Sequence, residues 1–124
     1  MKFEECPVAR ALHFIGGKWK PLILHELMGG PLRASELARR VPEVLPKVLT
    51  EQLRQLESDG LIAREVRPQF PPHVEYSFTE FGQSLRPSLR ELCKWGERSD
   101  VQAVVARRTG ARASSEDARK GVRP

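Results

Sequence analysis

The chain is poor in the groups that most covalent and metal chemistry requires. Its 124 residues include two cysteines and three histidines. Cys6 and Cys93 lie far apart, form no CxxC pair and have no Cys/His ligand spacing, which argues against a disulfide framework or a zinc site. His13, His25 and His73 show neither HxxxH nor HExxH spacing, and no Gly-rich phosphate loop is present. The expectation is therefore no catalytic residue, no metal ligand, no cofactor and no enzyme activity. No apolar run approaches the roughly 18 residues needed to cross a membrane. The N-terminal MKFEECPVAR carries acids where a secretory signal would be apolar, so a cytoplasmic location without membrane contact is expected.

What is plentiful is charge, but its distribution matters. The net charge is +5, which suggests a nucleic-acid partner. Residues 107–124 hold six basic and two acidic side chains, whereas residues 1–106 hold 15 basic and 14 acidic ones. The basic excess thus belongs mostly to the C-terminal tail and does not by itself mark a DNA-binding surface.

Periodicity divides the rest. Residues 1–6 read as an N-terminal arm. Pro7 suits the first turn of a helix over 7–15, in which Val8, Leu12 and Ile15 recur at helical spacing. A second helix is expected over about 18–28, stopped by Gly29-Gly30-Pro31. Residues 35–41 form a short helix closed by Pro42, and Pro46 opens a longer one, 46–58, ended by Asp59-Gly60. In that helix Leu49, Leu53 and Leu56 share one face, and Lys47, Thr50, Glu51, Arg54 and Ser58 share the other. A short helix, a tight turn and an amphipathic helix with a polar outer face make the helix-turn-helix pattern. Strands are expected over 61–67 and 73–78, separated by the proline-rich 68–72. A hairpin directly after the second helix gives the winged form of the motif. Thr79 is placed to cap a long helix over roughly 80–106, with Phe81, Leu85, Leu89, Leu92 and Gly96 on one stripe. The expected fold class is mainly α with a small β-hairpin wing, over residues 7–106. Residues 107–124 are expected to form a disordered basic tail.

Several strings carry a closer resemblance: CPVARAL (6–12), GGKWKPLIL (16–24), LTEQLRQLESDGLI (49–62), PPHVEYSFTEFGQSLRP (71–87) and LCKWG (92–96). In order and spacing they closely resemble the HxlR family of bacterial transcriptional regulators, winged-helix proteins related in fold to MarR regulators. The resemblance implies a homodimer joined through its first and last helices, one winged motif per subunit, a palindromic operator and control of nearby genes, often as a repressor. Val8, Leu12, Leu85, Leu89, Leu92 and Trp95 are the expected interface residues. Two positions depart from the family pattern. Leu45 stands where a serine or similar cap is usual, and Ala34 stands where an aromatic is frequent.

The partner implied is double-stranded DNA. Pro46, Lys47, Thr50, Glu51 and Arg54 are the candidate base-edge contacts of the recognition helix. Arg64, Arg67, Gln69 and His73 are candidate wing contacts to the minor groove or backbone. Arg33, Ser35 and Arg39 are candidate phosphate contacts, while Arg40 reads equally well as a solvated side chain. Cys6, beside Pro7 at a helix start where the dipole favours a thiolate, is the candidate redox sensor; some family members sense oxidants or electrophiles with a cysteine at this place. A small-molecule effector held near Phe14, Trp19 and Trp95 is a second route, although aromatics at these spacings are more often core. The alternative function is a winged-helix protein-interaction module without specific DNA binding.

Overall fold

The computed structural model describes residues 1–120, with side chains described through residue 110. The chain divides into two compact units at Arg86–Pro87.

In the first unit a single 3₁₀ turn, Phe3–Glu5, leads into α1, Pro7–Ile15. The Gly16-Gly17 break follows, with Gly17 at φ +93°. Helix α2, Lys20–Leu27, sends Ile23, Leu24 and Leu27 into the interior. A two-residue strand, β1 (Leu32–Arg33), precedes α3, Ala34–Arg40. Helix α3 starts on a side-chain bond: the Arg33 amide donates to Glu36 Oε1 at 2.9 Å, which satisfies one orphan donor of the helix start. Helix α4 spans Pro46–Ser58 and buries Leu49, Leu53 and Leu56. Its end is set by Gly60, whose φ of +81° suits a residue without Cβ.

Strands β2 (Ile62–Arg67) and β3 (His73–Phe78) form the hairpin. The sheet order is β1-β3-β2, all antiparallel, with Leu32 opposite Tyr76, Ile62 opposite Phe78 and Arg67 opposite His73. Ile23, Leu24, Leu27, Leu37, Leu56 and Ile62 are the most deeply buried large side chains. Each stabilises the fold by about 1.5–3 kcal/mol relative to an exposed position. Arg86 ties α2 to the hairpin. Its Nη2 donates to the Met28 carbonyl at 2.9 Å while its guanidinium lies 5.4 Å from the centre of the Phe78 ring, so a terminal helix carbonyl gains a charged partner.

The expected single helix over 80–106 is instead three: α5 (Glu80–Gln83), α6 (Arg86–Gly96) and α7 (Ser99–Lys120). Pro87 has no amide to donate and its ring clashes with a preceding turn, so α6 restarts just ahead of it. The second break, at Glu97-Arg98, has no cause that the periodicity announced. Helix α7 also continues through 107–120, where a disordered tail is expected. The Ala- and Arg-rich stretch has high intrinsic helix propensity, which composition-based reasoning about core burial ignores. Residues 121–124 of that expectation lie outside the described residues. In the second unit Leu89 is buried. Among the described residues no helix is long and apolar enough to cross a membrane.

Candidate nucleic-acid interface

Helix α4 separates two chemistries by its 3.6-residue period. Its leucines point inward, and Lys47, Thr50, Glu51 and Arg54 are exposed on the opposite side. Leu45, at the N-cap, makes no side-chain capping bond and is 69% exposed. Pro46 at the first helical position presets φ and lacks one of the amides that a cap would satisfy. The Thr50 hydroxyl donates back to the Pro46 carbonyl at 3.0 Å.

Glu51 organises the middle of this face. One oxygen accepts from Arg54 Nη1 at 3.1 Å, and the other accepts from Gln55 Nε2 at 3.2 Å. Arg54 is therefore held by a carboxylate on its own helix, whereas Lys47 has no ion pair among the described residues. On α3, Ser35 and Arg39 are exposed and Arg33 is half-buried opposite Glu75 in the β1–β3 register. Arg40 is paired with Glu26 at 3.6 Å.

The wing carries an ionic cluster on one face of the sheet. Arg67 Nη2 lies 3.1 Å from Glu65 Oε2, and Arg67 Nε donates to Glu75 Oε1 at 3.3 Å. His73 Nε2 lies 2.8 Å from Glu75 Oε2, and its Nδ1 lies 3.0 Å from the Pro71 carbonyl oxygen. The His73 hydrogen bond, opposed by burial and reinforced by Arg67, holds the Glu75 carboxyl below the ordinary glutamate value. Two of the four expected wing contacts, Arg67 and His73, are thus engaged with carboxylates. The other two, Arg64 and Gln69, are exposed and have no side-chain partner among the described residues.

Glu75 and Glu65 were not among the expected site residues. The i, i+2 spacing of His73 and Glu75, and of Glu65 and Arg67, does put each pair on one side of a strand. The cross-strand pairing of Arg67 with His73 depends on register, which the spacing alone leaves open.

Cys6 is a free, half-buried thiol at the N-cap of α1. Phe14 makes an edge contact with Phe81 at 5.9 Å between ring centres. Trp19 is half-buried under Lys18, whose Nζ lies 4.7 Å from the ring centre. Val8, Leu12, Leu92 and Trp95 are 66%, 53%, 53% and 59% exposed, Leu85 is half-buried, and Leu89 is buried already in the single chain.

A short helix, a turn, a helix with a polar outer face and a paired hairpin define a winged helix-turn-helix DNA-binding protein. The chain belongs to the HxlR family: the HxlR-like helix-turn-helix model matches residues 14–103. It is 51% identical over 96 residues to the HTH-type transcriptional regulator YkvN of Bacillus subtilis, covering 77% of this chain and 81% of that one. Among solved structures it is similar to the redox regulator HypR. The reduced form matches with a TM-score of 0.73 at 43% identity, covering 79% of this chain and 99% of HypR. The oxidised form gives 0.69 at 47%, covering 74% and 95%. The reduced form of the regulator YodB of B. subtilis gives 0.66 at 35%, covering 76% and 93%. The chain is accordingly a helix-turn-helix transcriptional regulator with DNA as its partner.

Proposed function

We propose that this regulator binds a palindromic operator as a homodimer and represses the adjacent genes. The observation that carries the proposal is the outer face of α4, where Lys47, Thr50, Glu51 and Arg54 stand exposed beside an exposed Pro46. Lys47 and Arg54 donate to guanine edges or phosphates, Glu51 accepts from cytosine, and Thr50 meets backbone or a thymine methyl. Ser35 and Arg39 on α3 hold phosphates, and Arg64 and Gln69 extend the footprint through the wing. The exposed apolar side chains Val8 and Leu12 on α1, and Leu92 and Trp95 on α6, support pairing of two copies. Two α4 helices related by a two-fold axis then read half-sites about one helical turn apart.

Control through a thiol fits the same protein. HypR is described as a redox regulator and is solved in oxidised and reduced forms. Cys6 sits at the start of α1, on which two of the apolar pairing residues lie, so its modification would alter how the two copies meet.

Alanine at both Lys47 and Arg54 tests the core of this proposal. The double variant is expected to lose operator binding in a gel-shift assay and to keep the wild-type mass by sedimentation. Unchanged operator affinity would overturn the assignment of α4, whereas failure of the wild type to enrich any inverted repeat from genomic DNA would favour a module that binds protein instead.

A further inference from the structure

The tip of the wing has a chemistry that phosphate binding does not explain. Residues 68–72 (Pro-Gln-Phe-Pro-Pro) connect Arg67 to His73, which face each other across the hairpin. All five are exposed and none is charged. Phe70 is 97% exposed, more than any other large apolar side chain among the described residues. A loop serving only to reverse the chain is usually built from Gly, Pro, Asn, Asp or Ser. The prolines here fit that role, but Phe70 does not, and its ring is left in water.

The loop is also braced. Three of its five residues are prolines, each with a fixed φ and no amide to donate. Its base is tethered through His73, whose two ring nitrogens face the Pro71 carbonyl and the Glu75 carboxylate, and Arg67 grips the same carboxylate. The ring is therefore presented on a stiff support, so little conformational freedom is lost when it is buried.

We propose that Phe70 is an apolar wedge that enters the minor groove beside the α4 footprint and partly unstacks one base step. The inference rests on DNA binding through α4. Strand β2 follows α4 through the three residues Asp59, Gly60 and Leu61, so the tip continues the proposed DNA-binding element. Minor-groove proteins insert Phe, Leu, Ile, Met or Pro between base steps for this purpose. Such a wedge adds selectivity without base hydrogen bonds, because pyrimidine–purine steps open more cheaply than others.

The test uses the full chain and duplexes that it enriches from a random pool, with 2-aminopurine placed at successive positions flanking the α4 footprint. The wild type is expected to raise the fluorescence at one step. Phe70→Ala should abolish that rise and weaken binding at least tenfold, while Phe70→Leu keeps most of both. Phe70 packs on nothing that its removal would unfold. A Phe70→Ala protein that binds within twofold of the wild type with the same fluorescence change overturns the wedge. So does altered self-association with unchanged DNA binding, which would assign the tip to contact between copies. These results leave the α4 proposal standing; failure of the wild type to enrich any duplex removes both.

Discussion

A Cβ added to Gly82 would collide with the carbonyl oxygen of Leu61 and lie 2.9 Å from the Phe78 ring. That carbonyl is part of the joint between α4 and the wing, because it accepts the Thr79 amide at 3.0 Å. Helix α5 therefore seats directly on the backbone that aims the hairpin. Gly82→Ala should destabilise the protein by about 3 kcal/mol, the upper end of what overpacking costs. The check is the shift in urea midpoint at unchanged slope. Stability equal to the wild type would mean that α5 can move away freely.

Thr79 secures the same joint from the other side. Its hydroxyl oxygen accepts from the Gly82 amide at 2.9 Å, and its hydroxyl proton reaches the Gly60 carbonyl. Thr79→Ala loses a helix cap and leaves two partners short, a cost of about 1–2 kcal/mol. Thr79→Ser keeps both bonds and is expected to recover most of the loss in thermal melts. Equal destabilisation by Ala and Ser would place the contribution in the methyl group instead.

The residues that fix this joint show which features sequence could supply. Pro46 and Asp59-Gly60 announce both ends of α4, and the structure gives the helix Pro46–Ser58. The hairpin was legible from its strand-forming runs and the prolines between them. Strand β1 was not, because two residues cannot display a period. The break around Ser84 was hidden by an apolar stripe, Phe81 to Gly96, that runs unbroken across it, and nothing in the periodicity marked the break at Glu97. In the candidate site, the polar face of α4 followed from spacing, but the engagement of Arg67 by Glu75 did not. It depends on which residues of two strands stand opposite each other, and a one-residue slip would separate the two.

The wing cluster should respond to acid. Glu75 titrates below the ordinary glutamate value in the folded chain. A lowered carboxyl pKa stabilises the fold above the unfolded value, about 4.3, and that contribution is lost as pH falls through the lower folded value. Wing amides around Glu75 are therefore expected to lose exchange protection below about pH 4, before the core amides do. In Glu75→Gln this selective loss should be absent. Equal acid sensitivity in the variant would mean that another group carries it.

On the proposed α4 interface the Glu51–Arg54 pair is expected to set a trade between affinity and selectivity. Both side chains are well exposed, 50% and 70%, so the pair contributes little to stability, within about 1 kcal/mol. Glu51 holds Arg54, and if α4 lies on DNA as proposed, its larger effect is there, through repulsion of phosphates. Glu51→Ala should leave the melting temperature unchanged and bind random duplex more tightly. If the freed Arg54 gains one phosphate, the slope of log K against log salt steepens by about 0.9. An unchanged slope would show that Arg54 already reaches phosphate with Glu51 in place.

Cys6 offers the decisive experiment on regulation. The thiol is half-buried at the N-cap of α1, one position before Pro7. Cys93, on α6, is also free and half-buried. Oxidation by diamide, or alkylation by a quinone, is expected to release the wild type from its operator. Cys6→Ser should stay bound under the same treatment, and Cys93→Ser should behave like the wild type. Alanine at Leu12, exposed on α1, should weaken self-association without abolishing the response of any paired molecules that remain. Release of Cys6→Ser by either reagent would exclude Cys6 as the sensor and turn attention to Cys93.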